Sequence, residues 1–180
     1  MLKKILKIVA VVLVVALIGI QFVRPARTNP PVDPKMTIEA SVNVPDKVEK
    51  ILKRSCNDCH SNKTVWPWYS NVAPISWQVI DHVNEGRKEL NFSVWGTYKD
   101  RRKNRKLKEV CEQVENEEMP HPQYLWIHRD AALTKDEILT VCDWAKGLMQ
   151  QAAQEDNKQT EAQKAPQKDP SEEAKGGDDH

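Results

Sequence analysis

Glycine and alternating β-branched residues are scarce in this chain. Six glycines occur in 180 residues, and the stretch between the two ends lacks the Val/Ile/Thr alternation, bounded by glycine turns, that is typical of strands. Charge of either sign is also not in excess, with 27 basic and 26 acidic residues, which argues against a nucleic-acid-binding protein. No internal repeat is evident. The sequence therefore predicts a small all-α domain.

The N-terminal residues form the longest apolar run of the sequence. From Ile5 to Val23 only Lys7 and Gln21 interrupt it, and as a helix it would span roughly 28 Å, close to the hydrocarbon thickness of a bilayer. Residues 1–23 are therefore predicted to be a transmembrane anchor. The surplus of lysine before the run favours a cytoplasmic N-terminus, with the domain in the periplasm of a bacterium and the anchor in the inner membrane. A cleaved signal peptide is the alternative.

Two segments of biased composition flank the predicted domain at residues 46–150. Residues 24–45 contain five prolines and little apolar periodicity, which predicts a semi-extended spacer without a fixed fold. Residues 151–180 have no aromatic or large aliphatic side chain, so they are predicted to be a disordered, charged tail.

Apolar spacing predicts four helices inside the domain. They are expected over residues 45–56, over 74–86, around 107–114 and from 134 onward. The third should end before Met119 because a residue that precedes proline avoids helical dihedral angles. The fourth should begin at Thr134, where Glu137 completes a capping box.

Residues Cys56, Asn57, Asp58, Cys59 and His60 form the motif C-x-x-C-H. Two thiols one helical turn apart can add to the vinyl groups of a haem, and the adjoining imidazole can bind its iron. A thioredoxin-like dithiol would need a preceding strand, and a zinc site would need a second close pair of ligands. The motif therefore predicts one covalently attached haem c with His60 as the proximal iron ligand. A carbonyl in the loop of residues 67–74 is expected to accept a hydrogen bond from the other ring nitrogen.

The second axial ligand distinguishes an electron carrier from a haem that binds small molecules. Met119 is the favoured candidate, because it leaves a helix for a loop stiffened by Pro120 and carries a soft thioether. A methionine that only packs is one alternative, and His121 as the ligand is another. His82 and His128 are expected to be surface or hydrogen-bonded residues.

Six tryptophans are present, and two of them directly follow the C-x-x-C-H motif. Trp66 and Trp68 are predicted to supply flat apolar surface to the haem pocket. The four others, Trp77, Trp95, Trp126 and Trp144, are expected in the core.

Cys111 and Cys142 each lie on the apolar face of a predicted helix. A disulfide between them is one prediction, and two buried free thiols are the alternative.

Between Lys99 and Lys108 seven of ten residues are basic. This segment is interpreted as a docking face for an acidic redox partner, and a merely solvated helix face is the alternative.

Several ordered motifs resemble a known family. They run from Cys56 to Asn62, from Thr64 to Asn71, from Asn84 to Arg87 and from Leu90 to Ser93, followed by Met119-Pro120 and Tyr124. Together, over residues 47–145, they are similar to the bacterial haem-binding domain family of small cytochrome-c-like proteins. The resemblance implies a monohaem, cytochrome c-like helical fold in which Cys56 and Cys59 attach the haem. It also implies that His60 and Met119 are its proximal and distal ligands, and that members often carry an N-terminal membrane segment.

These patterns predict a membrane-anchored c-type cytochrome that transfers single electrons, which favours a carrier over an enzyme. A haem-based sensor or peroxidase-like enzyme is the alternative. It would need an open distal site and an acid–base pair, for which His121 and Arg129 are the candidates.

Overall fold

The structure is a computed structural model that describes residues 1–164, and the side chains up to residue 154. Within these residues the fold is all-helical and contains no strand, as predicted. The α-helices are α1 (Leu2–Ile20), α2 (Ile38–Ser41), α3 (Asp46–Ser55), α4 (Asn57–His60), α5 (Ile75–Glu89), α6 (Asp100–Glu115), α7 (Pro122–Leu125) and α8 (Lys135–Lys164). Turns of 3₁₀ helix occur at Trp68–Asn71, Phe92–Thr97 and Arg129–Ala131.

The N-terminal helix differs from the predicted membrane anchor. Among residues 1–164 no helix combines the length and the apolar character needed to cross a bilayer. The reason lies in its bounds, because α1 ends at Ile20 and its first turns contain three lysines. The stretch free of charge, from Ile8 to Ile20, spans roughly 20 Å, against about 30 Å for a hydrocarbon core. The predicted span is therefore wrong, and the inner-membrane and periplasmic location that rested on it loses its basis.

The predicted spacer of residues 24–45 is in contact with the domain. The Arg27 guanidinium donates to Asn71 Oδ1 at 2.6 Å, and Asn29 Nδ2 donates to the Thr64 carbonyl at 2.9 Å. Ile38 is 1% exposed and belongs to the same core cluster as Trp95. The structure thus differs from the expected unstructured spacer, because directional hydrogen bonds from a few polar side chains are not visible in composition.

The core lies between α3, α6 and α8. α6 packs along α8, and α3 packs against α8 as well. Leu52, Trp95, Leu107 and Ala145 are among the buried side chains of the main cluster. A second, smaller cluster surrounds a disulfide that joins α6 to α8.

The helix ends agree with the predictions in part. Thr134 and Glu137 form the expected capping box at the start of α8, with the Thr134 N–H donating to Glu137 Oε2 at 2.9 Å. α6 ends at Glu115, before Met119, as predicted. α5 does not stop at residues 84–86 but continues to Glu89. α8 continues through the first part of the predicted tail, whose residues 165–180 lie outside the described part of the chain.

Candidate haem site

The C-x-x-C-H motif forms one tight helical turn directly after α3. The His60 N–H donates to the Cys56 carbonyl at 2.9 Å, which closes the turn and places both thiols beside the imidazole. Cys56 and Cys59 are free thiols, whereas the disulfide of the structure joins the other two cysteines, Cys111 and Cys142. Burial raises the pKa of the Cys56 thiol to about 12 and that of the Cys59 thiol to about 11. Both are therefore neutral thiols near pH 7.

The imidazole of His60 is oriented by backbone carbonyls at the end of α5. Its Nδ1 lies 3.0 Å from the carbonyl oxygens of both Gly86 and Leu90. Since both partners are acceptors, Nδ1 carries the hydrogen, and the lone pair of Nε2 remains available to a metal. Burial lowers the pKa of His60, which also favours the neutral ring. The predicted acceptor in the loop of residues 67–74 is wrong, because the end of α5 supplies both carbonyls.

Gly86 allows α5 to approach the motif. A Cβ atom at this position would lie 2.7 Å from the Cys59 carbonyl oxygen and 3.1 Å from Cys59 Cβ. No ordinary side chain fits at such distances. This glycine therefore serves close packing and does not stop the helix, and the packing brings the Gly86 carbonyl to His60.

A cavity of about 810 Å³ opens in front of His60. Most of its wall is apolar, and Cys56, Cys59, His60 and Met119 all contribute to it. This combination fits a haem, because two free thiols, one imidazole with a free Nε2 and one thioether face a single large apolar space.

Met119 reaches the cavity wall through the end of α6. Glu117 adopts a left-handed conformation with φ of 57°, and the Met119 N–H then donates back to the Gln113 carbonyl at 3.1 Å. This is a helix C-cap, which fixes the path of the chain. The half-buried side chain packs against the cluster around the Cys111–Cys142 disulfide. The disulfide, left open by the sequence, thus supports the wall that carries Met119.

Comparison with known proteins decides the family. Residues 15–147 match the family model of a haem-binding domain. The chain belongs to this haem-binding domain family. No curated protein and no solved structure matches the chain. The family supports haem as the cofactor, and the matched residues include every wall element described above.

Two histidines lie together in the wall of the haem-binding domain. The ring centroids of His82 and His121 are 4.7 Å apart, and both residues line the cavity. His121 Nδ1 accepts a hydrogen bond from the Gln123 N–H at 3.3 Å, where it caps α7. The sequence suggested that His82 is a surface or hydrogen-bonded residue, and a position in the cavity wall was not predicted. Its spacing from Val79 and Ile75 on one face of α5 is the signal that would have placed it in the wall.

The tryptophans are distributed differently from the prediction. Neither Trp66 nor Trp68 lines the cavity among the described residues. Trp66 donates to Asn29 Oδ1 at 3.2 Å, and Trp68 is 77% exposed. Trp126, for which the sequence suggested a core position, is 74% exposed at the edge of the cavity. Trp95 is buried in the core as expected.

A polar network joins the motif to the segment after Met119. Tyr124 donates to Asp58 Oδ2 at 2.9 Å, and its ring stacks on His128 at a centroid distance of 4.2 Å. Tyr69 Oη and His128 Nε2 are 2.7 Å apart. Burial, followed by the Asp58 carboxylate, raises the pKa of Tyr124. The network holds the two sides of the haem-binding domain together at the cavity edge.

The basic segment from Lys99 to Lys108 lies at the start of α6, and much of its charge is compensated within the chain. Four of its residues pair with acids of the same helix: Lys103 with Asp100, Arg105 and Lys106 with Glu109, and Lys108 with Glu112. Lys106 points inward. Docking of an acidic partner on this segment therefore stays a prediction, with less free positive charge than the sequence suggested.

Proposed function

We propose that this protein is a c-type cytochrome that carries single electrons, with one haem attached covalently through Cys56 and Cys59. The observation that carries the proposal is the common cavity. His60 and Met119 enter it from separate elements, and the two free thiols adjoin His60. The haem supplies an iron that exchanges one electron between its ferrous and ferric forms.

The chain contributes axial ligation and a fixed environment. The Gly86 and Leu90 carbonyls hold the hydrogen on Nδ1 of His60, so that Nε2 is the donor atom to the metal. The cap at the end of α6 fixes the backbone of Met119. His60 and Met119 would together hold the iron, and the methionine would raise its reduction potential and leave no position for a small molecule, which would suit a carrier.

Met119 is favoured over His121 as the second ligand because of the cap on α7. His121 Nδ1 accepts from the Gln123 N–H, so Nε2 carries the hydrogen when the ring is neutral. Iron binding through His121 would require the ring to change its tautomer and give up the cap. Met119 has no such competing hydrogen bond, since a thioether accepts only weakly.

The exposed edge of the cavity suits electron exchange with a partner. Val65, Trp126 and Ile127 line the cavity and are between 60% and 75% exposed. Apolar, aromatic surface of this kind is enriched where proteins associate. A redox partner approaching this edge would come near the cofactor.

A second candidate function follows from the imidazole pair. His82 and His121 lie close enough to exchange a proton directly or through one water molecule. If Met119 does not bind the iron, this pair would act as the acid–base group of a peroxidase-like enzyme or stabilise a ligand in a sensor. The pair of His121 with Arg129 suggested by the sequence is less suitable, because Arg129 does not line the cavity among the described residues.

Absorption and magnetic circular dichroism spectra of the wild type, Met119→Ala and His121→Ala test the proposal. We expect a low-spin, six-coordinate wild type with a methionine-to-iron charge-transfer band. The band should vanish in Met119→Ala and persist in His121→Ala. Met149→Ala is the matched control, since Met149 packs against the core outside the cavity. A five-coordinate, high-spin wild type that binds carbon monoxide rapidly would support the second candidate instead.

Intact mass measures the attachment separately. The wild type, produced in cells competent for cytochrome c maturation, should gain the mass of one haem. Cys56→Ala combined with Cys59→Ala should have the mass of the polypeptide alone. A wild type with the polypeptide mass contradicts covalent attachment.

A further inference from the structure

Lys106 is a charged side chain buried in the wall of the cavity. It is 6% exposed and lies on the inner face of α6, next to Leu107. Among the described residues that line the cavity it is the only lysine or arginine. Burial of an ammonium group has a large free-energy cost unless hydrogen-bond acceptors surround it. Lys106 therefore needs specific partners at this position.

Two carboxylates bind the ammonium group in the structure. Lys106 Nζ lies 3.1 Å from Glu89 Oε2 and 2.6 Å from Glu109 Oε2. An ammonium group has three N–H donors, so these bonds leave one donor for an acceptor in the cavity. The two glutamates are also much less buried than their partner. Their side chains are 58% and 41% exposed, against 7% for the lysine, so water can solvate them while the ammonium group stays in the wall.

A haem brings its own carboxylates into this space. Its two propionate groups are anionic, and an unpaired carboxylate in an apolar cavity carries a large desolvation cost. The other candidate cations are engaged elsewhere. Arg87 donates to the carbonyls of Ser61 and Thr28 at 2.8 Å, and Arg54 donates to Glu137 at 2.9 Å. Neither arginine lines the described cavity.

We propose that the Lys106 ammonium group binds a propionate carboxylate of the haem, as the third hydrogen-bond partner beside Glu89 and Glu109. This inference rests on the proposed function, because it requires the haem in this cavity. Lys106 is then a cofactor-binding residue, and the one member of the basic segment that lines the cavity among the described residues. Arg102 of the same helix instead lies over the Tyr98 ring at 4.2 Å, and Arg105 and Lys108 are largely exposed.

Three variants separate this role from a structural one. Lys106→Met keeps an unbranched side chain, one atom shorter, and removes its charge, whereas Lys106→Arg keeps the charge. Glu89→Gln combined with Glu109→Gln removes the charged acceptors and keeps the lysine. Lys108→Met is the matched control, since Lys108 is on the same helix, is 69% exposed and pairs only with Glu112 among the described residues.

Resonance Raman spectra of the purified holoproteins report on the propionate directly. Lys106→Met should shift the propionate bending vibration, and Lys106→Arg should restore it at least in part. The vibration should stay at the wild-type position in Lys108→Met. Redox titration gives a second readout. Removal of a cation near the iron favours the ferric state, so Lys106→Met should have a lower midpoint potential than Lys108→Met.

The double glutamine variant distinguishes the propionate from the glutamates as the essential partner. If Lys106 acts on the haem, this variant keeps the wild-type propionate vibration. A shift equal to that of Lys106→Met would mean that the lysine acts through its glutamate pairs, and the proposal would be wrong. An unchanged vibration in Lys106→Met, with haem attached by mass, would overturn the proposal while leaving the proposed function intact. A wild type without haem would overturn both.

Discussion

The two sides of the cavity are built by different means. On the His60 side, the proposed ligand and both thiols occupy one helical turn, and two backbone carbonyls at the end of α5 orient the imidazole. On the Met119 side, the proposed ligand follows a helix cap and packs against a cluster around the Cys111–Cys142 disulfide. One side depends on directional hydrogen bonds between a short motif and the end of α5. The other depends on packing and a covalent link between distant helices.

Removal of the disulfide should have the largest effect on stability and should act on the Met119 side. The bond closes a separation of 31 residues, for which the chain-entropy model gives about 3–4 kcal/mol. Cys111→Ala combined with Cys142→Ala should therefore lower the urea unfolding free energy by about this amount. The methionine charge-transfer band should weaken at lower urea concentration than in the wild type.

The same variant shows whether the two sides are independent. The mass should still include one haem, because Cys56, Cys59 and His60 do not belong to the disulfide cluster. Loss of covalent haem from the folded variant would mean that the motif also depends on the disulfide. Stability equal to that of the wild type would contradict the support assigned to the bond.

Gly86→Ala should disturb the packing on the His60 side and lower the unfolding free energy by less than removal of the disulfide does. The added Cβ would meet the Cys59 carbonyl oxygen at 2.7 Å, and forcing α5 away should cost about 2 kcal/mol. The displacement would also lengthen the hydrogen bond from His60 to the Gly86 carbonyl. We expect a lower unfolding free energy and a change in the iron–histidine stretching frequency of the ferrous protein after Met119 is displaced by acid or replaced by alanine.

Gly147→Ala is the control for this substitution. Gly147 lies inside α8, and a Cβ added there would have no neighbour within 4 Å among the described residues. Alanine should therefore stabilise the helix by up to about 1 kcal/mol. If Gly86→Ala lowers the unfolding free energy and Gly147→Ala raises it, the loss at Gly86 is due to its close packing against Cys59. Stabilisation by both would show that α5 can move away from Cys59 without cost.

The contrast between the two sides explains what the sequence could predict. The motif at Cys56–His60 is contiguous, so a haem-binding domain could be predicted from it without a fold. The helical class and the α6 end before Met119 also followed from local patterns. By contrast, the carbonyl partners of His60 lie 26 and 30 residues away, and no local pattern selects them.

Exposure was the least predictable property. Lys106 is a polar residue on a face that the cavity uses, and nothing in its own neighbourhood shows that a cavity exists there. For His82 the spacing from Ile75 and Val79 was the only local signal. Trp66 and Trp68 adjoin the motif in sequence, yet their rings turn away from the cavity toward residues near the N-terminus or toward solvent. The predicted membrane span is wrong for a related reason. The apolar residues form a long run in the sequence, but the helix ends at Ile20 and contains lysines.

The smallest predicted effect concerns a contact that links the two sides. Arg54, on the helix that leads into the motif, donates to Glu137 at 2.9 Å, and Glu137 also caps α8. The Arg54 guanidinium, followed by the Thr134 N–H, lowers the pKa of Glu137 to about 2. A carboxylate whose pKa is lowered by folding stabilises the protein at pH values above its unfolded pKa, which is 4.5 for Glu137. That stabilisation is lost as the pH falls toward 2.

Glu137→Gln measures this contact. At pH 7 the substitution should cost about 1 kcal/mol, because the pair is partly exposed to water. The cost should shrink when urea unfolding is measured at pH 3 instead. Glu115→Gln is the control for removal of a surface carboxylate, since Glu115 and Lys146 are a surface pair at 3.6 Å, and at pH 7 it should cost less than Glu137→Gln. A cost for Glu137→Gln that is the same at both pH values would mean that the charge on Glu137 does not stabilise the contact between α3 and α8.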